Sequence, residues 1–133
     1  MGALDGKKVG FIGLGLMGKI MARNLHAAGA AMTVTSRSLG PAKELAGEGM
    51  TAVSTAQEVV EASDITVLMV TDTNAVDAVL HGDNGAVAGL SAGKTLIDMS
   101  TTKVRETREW GAEVTTLGAH YVDAPVSGGT VGA

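Results

Sequence analysis

Residues 9–18 read Val-Gly-Phe-Ile-Gly-Leu-Gly-Leu-Met-Gly, and their reading decides the fold. Val9, Phe11 and Ile12 make the short apolar run of a fully buried strand. Gly13, Gly15 and Gly18 follow in the spacing G-x-G-x-x-G. Behind them, Met17, Ile20, Met21, Leu25 and Ala28 switch to helical spacing. Strand, glycine turn and helix, in that order, form the context in which this motif holds a dinucleotide. Gly13 permits the tight turn, Gly15 lets main chain approach a pyrophosphate, and Gly18 lets the helix lie close on the strand. The start of the helix offers N–H groups without intrahelical partners and the positive end of a dipole, both suited to phosphate.

Outward from this unit the chain alternates. Asp5-Gly6 predicts a turn before the first strand, and Gly29 a cap after the first helix. A second strand is predicted over 31–35, followed by a helix with Pro41 in its first turn that runs to about Glu48 and is stopped by Gly49. A short third strand spans 50–53. Ser54, Thr55, Gln57 and Glu58 then offer overlapping capping-box signals for a helix ending near Ala62. Ile65–Val70 is apolar enough for a central parallel strand, and Asn74–Leu80 reads as a short helix. The glycine-rich stretch 81–93 reads as a turn, a short helical piece and a loop. A fifth strand spans 95–97, a helix capped by Thr102 follows, and a sixth strand spans 120–123. Six strands alternating with helices, without repeat or linker, imply one α/β domain over residues 1–133. The expected architecture is a doubly wound parallel sheet of the Rossmann type, in the order 3-2-1-4-5-6.

Composition narrows the classes. The chain has 133 residues, enough for one core, with 45% hydrophobic and only 2% aromatic residues, so aliphatic side chains and Met must fill that core. No cysteine is present, and His26, His81 and His120 stand too far apart for a ligand pattern, so no metal site is expected. A net charge of −4 argues against a nucleic-acid surface. No apolar run approaches membrane-spanning length, and the N-terminal residues lack the apolar core of a signal peptide. The expected location is the cytoplasm.

The end of the second strand bears on which dinucleotide fits. An Asp or Glu there holds the ribose hydroxyls of NAD. Ser36, Arg37 and Ser38 occupy the place instead. A guanidinium pairs with a 2′-phosphate that a carboxylate would repel, and the serines add hydrogen bonds. The reading favours NADP over NAD.

Three segments, G-F-I-G-L-G-L-M-G-K-I-M-A-R-N-L, D-M-S-T-T and D-A-P-V-S-G-G-T-V-G-A, together resemble the N-terminal domain of the β-hydroxyacid dehydrogenases. That family includes 3-hydroxyisobutyrate dehydrogenase, tartronate semialdehyde reductase and, more distantly, 6-phosphogluconate dehydrogenase. The resemblance implies that Leu14, Gly15, Leu16 and Met17 meet the pyrophosphate through main chain. It implies that Met69, Val70 and Asn74 line the cofactor, and that Thr101 approaches the nicotinamide ribose or ring. It makes Ser127, Gly128 and Gly129 the loop that receives a substrate carboxylate. The family's lysine, and the helical domain that closes over substrate, lie beyond Ala133; Lys94 and Lys103 stand outside the lysine motif. No catalytic residue is therefore assigned, and the isolated chain is expected to turn over weakly or not at all. A natural truncation, a proteolytic fragment and a deliberately expressed domain all fit this stop. Self-association through the surface that the second domain would cover is a further expectation. Two other readings stand beside the oxidoreductase of short 3-hydroxy acids: a binding module that holds NADP without turnover, and the cofactor domain of an imine reductase.

Overall fold

The structure, a computed structural model, describes residues 2–126. Six strands, β1 (Lys8–Ile12), β2 (Ala31–Thr35), β3 (Thr51–Ala52), β4 (Ile65–Leu68), β5 (Thr95–Asp98) and β6 (His120–Asp123), form one parallel sheet in the order β3-β2-β1-β4-β5-β6. The helices between them are α1 (Leu16–Ala27), α2 (Leu39–Ala46), α3 (Ala56–Ala62), α4 (Thr73–His81), α5 (Ala86–Gly89) and α6 (Val104–Thr116). This is the doubly wound order expected from the alternation, with the reversal between β1 and β4.

Each face of the sheet has its own core. Phe11, Val9, Met32, Val34 and Val67 pack with Leu45 of α2 on one face. Ile12, Leu68 and Leu96 pack with Val59, Val60, Val76, Leu80 and Trp110 of α3, α4 and α6 on the other. β1 carries buried residues on both faces from Val9 to Ile12, as a strand in the middle of a parallel sheet must. Apolar cover is incomplete on one face: Ile65, at the start of β4, is 37% exposed, and Val122, on the edge strand β6, is 43% exposed. Ile97, paired with Val122 in register, lies on the opposite side of β5 from the buried Leu96.

Element ends differ from the sequence expectation for local reasons. The helix α2 starts at Leu39, which puts Pro41 in its first turn as the sequence suggests, where a missing N–H costs nothing; it ends at Ala46, short of Glu48. β3 is shorter than the predicted 50–53. Of the overlapping capping signals, Thr55 and Glu58 form the working pair: Thr55 Oγ1 accepts from the Glu58 N–H and donates to Glu58 Oε1, each at 3.1 Å. β4 ends at Leu68 rather than Val70, because the Val70 N–H leaves the ladder for the Ser100 hydroxyl. Thr102 does not cap α6. The cap position is Lys103, without a side-chain cap, and the Thr102 hydroxyl pairs with that of Thr107 at 2.6 Å.

Candidate functional site

A cleft of about 1230 Å³ opens at the carboxyl ends of β1, β2 and β4. Its floor is the glycine turn. Gly13 has φ +98°, and a β-carbon there would collide with the Met69 carbonyl oxygen. A β-carbon on Gly18 would strike the Gly13 carbonyl oxygen, so α1 sits this close to the end of β1 only because residue 18 is glycine. Gly15 is different. Nothing lies within 4 Å of the place its β-carbon would take, and Gly15 is the N-cap of α1 with no side chain over the first N–H groups. Space for close approach and unpartnered donors coincide there, which fits a diphosphate. Leu14 is buried in the core below, while Leu16 is 68% exposed and Met17 half-buried, so the turn presents main chain to the cleft.

Ser36, Arg37 and Ser38 line the cleft at the end of β2. The Ser36 hydroxyl donates to the Ser38 carbonyl and braces the turn into α2. Arg37 is exposed, and no acceptor among the described residues engages its guanidinium. It is the one cationic side chain among the described residues of the lining. Lys19 and Arg23 of α1 are committed elsewhere, to Glu44 at 2.9 Å and 3.0 Å, and Arg23 also to Glu48 at 2.7 Å. Of the carboxylates on the lining, Asp72 is occupied in capping α4 through the Ala75 N–H at 2.9 Å. A free guanidinium with no acid at the strand end gives this end of the cleft affinity for a phosphate.

Met69, Val70 and Asn74 line the opposite wall. Thr101 follows the end of β5, exposed and outside the lining of the cleft. Ser127, Gly128 and Gly129 lie outside the described residues. Beneath this wall is a buried group for which the sequence reading left no role. Asp98, 0% exposed, accepts from the Tyr121 hydroxyl at 2.6 Å and from the Ser100 N–H at 2.9 Å. Ser100 Oγ in turn accepts from the Val70 N–H at 2.9 Å. Burial, followed by the bond to Asp98, pushes the Tyr121 hydroxyl well above its ordinary pKa. The D-x-S spacing on a strand end was the available signal; Tyr121 reaches Asp98 only through the pairing of β5 with β6. Thr55 and Asn84 also border the cleft and were missed, since both come from loops distant in sequence.

Lys94 is structural: its Nζ donates to the Ser63 carbonyl at 2.6 Å, closing the end of α3. Among the described residues no group of three or more metal-ligating side chains exists, and no helix is long and apolar enough to cross a membrane.

Comparison with known proteins agrees with this geometry. A 2-hydroxy-3-oxopropionate reductase of Escherichia coli K12 is 50% identical over 127 residues, covering 95% of this chain and 43% of that protein. A solved 3-hydroxyisobutyrate dehydrogenase from Salmonella typhimurium superposes with a TM-score of 0.89 at 31% identity, over 96% of this chain and 44% of its own. An imine reductase from Myxococcus stipitatus, solved in complex with NADP+, gives a TM-score of 0.77 at 27% identity, over 86% and 39% of the two chains. The chain thus spans about two fifths of the length of such relatives. Residues 8–133 match the family described as the NAD binding domain of 6-phosphogluconate dehydrogenase, and to that family this chain belongs.

Proposed function

We propose that the chain is the NADP(H)-binding part of an oxidoreductase acting on a short 3-hydroxy acid or the matching semialdehyde. One observation carries the cofactor choice: the glycine turn with its open place at Gly15 stands beside an Arg37 free of acceptors, where an NAD site would hold a carboxylate. Relatives named as a hydroxy-oxo-acid reductase and a 3-hydroxyisobutyrate dehydrogenase support the substrate class. The bound nicotinamide supplies the hydride acceptor or donor. The chain's own residues bind and orient: Gly13–Gly18 take the diphosphate through N–H groups, Ser36, Arg37 and Ser38 the 2′-phosphate, Met69, Val70 and Asn74 the wall of the cofactor, and Thr101 the nicotinamide side. Ser127, Gly128 and Gly129 receive the substrate carboxylate. Proton transfer to or from the hydroxyl is assigned to no residue of this chain. The exposed Ile65 and Val122 side of the sheet supports pairing between copies, and the location is cytoplasmic.

Calorimetric titration with NADPH and NADH, followed by turnover on short 3-hydroxy acids, tests the reading. Preference for NADPH supports it; equal affinity for both dinucleotides refutes the role of Arg37. Binding without turnover identifies a cofactor-holding unit. The likeness to an NADP+-bound imine reductase supports a second reading, which reduction of a cyclic imine and of no semialdehyde would establish.

A further inference from the structure

Three strand ends are joined beneath the cleft by one run of hydrogen bonds. Tyr121 of β6 donates to Asp98 of β5 at 2.6 Å, Ser100 N–H donates to the same carboxylate at 2.9 Å, and Val70, just past β4, donates its N–H to Ser100 Oγ at 2.9 Å. Asp98 is 0% and Ser100 2% exposed, so the accepting side chains are shielded from solvent, while Tyr121 and Val70 are partly buried. Val70 borders the cleft, and its Cγ1 lies 3.1 Å from the place a Gly13 β-carbon would take. The bonds below Val70 therefore set the wall beside the glycine turn.

We propose that Asp98 and Ser100 are positioning residues for the nicotinamide half of the dinucleotide, acting through the Met69–Val70 main chain. This rests on the dinucleotide reading above. Topology gives the direction. The diphosphate lies on the turn after β1, and Arg37 after β2 marks the adenosine end. The other half then runs toward β4 and β5, on the opposite side of β1 in the sheet. Each residue type has a reason. A carboxylate has acceptors for two donors at once, and a serine both donates its N–H to Asp98 and accepts at Oγ. Alanine at position 100 would take the acceptor from the Val70 N–H, and the wall would shift to find another. Tyr121, held protonated by burial and by Asp98, remains a donor throughout the physiological range.

The test uses two ligands, NADPH and its adenosine half, 2′,5′-ADP, titrated into the wild type, Ser100→Ala and Tyr121→Phe, with thermal unfolding of each. Ser100→Ala is expected to weaken NADPH about tenfold and 2′,5′-ADP less than about twofold. Tyr121→Phe keeps the Ser100–Val70 bond but loosens Asp98, and should weaken NADPH about threefold with 2′,5′-ADP unchanged. A merely structural role would lower the melting temperature and weaken both ligands alike. That result, or unchanged NADPH affinity in Ser100→Ala, overturns the proposal. Should Ser100→Ala fail to fold, Tyr121→Phe decides by the same two ligands. A wild type that binds neither ligand overturns the dinucleotide reading instead.

Discussion

Nε2 of His81, at the last position of α4, lies 2.6 Å from Oε1 of Glu113 in the third turn of α6. The other ring nitrogen, Nδ1, is 2.9 Å from Asp77 Oδ1. Partial burial pulls the His81 pKa down, but the bonds to Glu113 and Asp77 outweigh it, and the net shift is upward. A raised folded-state pKa means that the imidazolium stabilises the fold below the unfolded value of about 6.5. That contribution is lost as pH rises through the folded value. Because the side chain is partly exposed, the effect is at most about 1 kcal/mol. Urea unfolding of the wild type and His81→Gln from acid to alkaline pH checks it. The gap between the two should shrink as pH rises above about 6.5. A gap constant with pH rules out the charged clamp.

Two glycines with a single residue between them predict opposite phenotypes. Gly13→Ala forces a side chain into a φ of +98° and against the Met69 carbonyl, and should cost at least about 2 kcal/mol of stability. Gly15→Ala meets no atom within 4 Å and should cost less than about 1 kcal/mol, at the cap alone. Its methyl group stands where the diphosphate must come, so NADPH affinity should fall at least about tenfold. Denaturant unfolding and calorimetry on both variants separate the two effects.

Arg37→Asp replaces the acceptor-free guanidinium on the cleft with a carboxylate. NADPH affinity should drop by about 2 kcal/mol or more, and NADH should become the preferred ligand. Titration of both dinucleotides into the variant reads the outcome directly. An unchanged ratio would mean that Arg37 does not meet the 2′-phosphate.

Thr55→Ala removes both halves of the pairing with Glu58. The loss of this cap should cost about 1 kcal/mol and lower the melting temperature by roughly 3–5 °C. Ser54→Ala should leave it unchanged, because Ser54 is not the cap of α3.

What the sequence made legible was local. The switch from strand to helical spacing around Gly13–Gly18, the near-continuous apolar run of β4 and the Thr55–Glu58 box each lie within one window of chain, and each is present in the fold. The misses share a different cause. Val70 leaves its strand because a hydroxyl 30 residues later takes its N–H, and the buried Asp98 finds its hydroxyl donor in Tyr121, 23 residues on. Thr102, read as a cap, prefers the Thr107 hydroxyl to the N–H groups of α6. The first two choices are made by tertiary pairing, which no periodicity encodes, and the third by a choice between two local partners.

β1, flanked by strands on both sides and covered on both faces, is the innermost element, while β3 and β6 form the rims. Amide protons of β1 are accordingly expected to be the last to exchange with deuterium, and those of the rims to exchange first by local fraying. The glycine turn proposed to cradle the diphosphate grows directly out of this innermost strand. Breathing at the periphery would leave its donors aligned, and the ordering cost of binding would be met during folding rather than at each encounter.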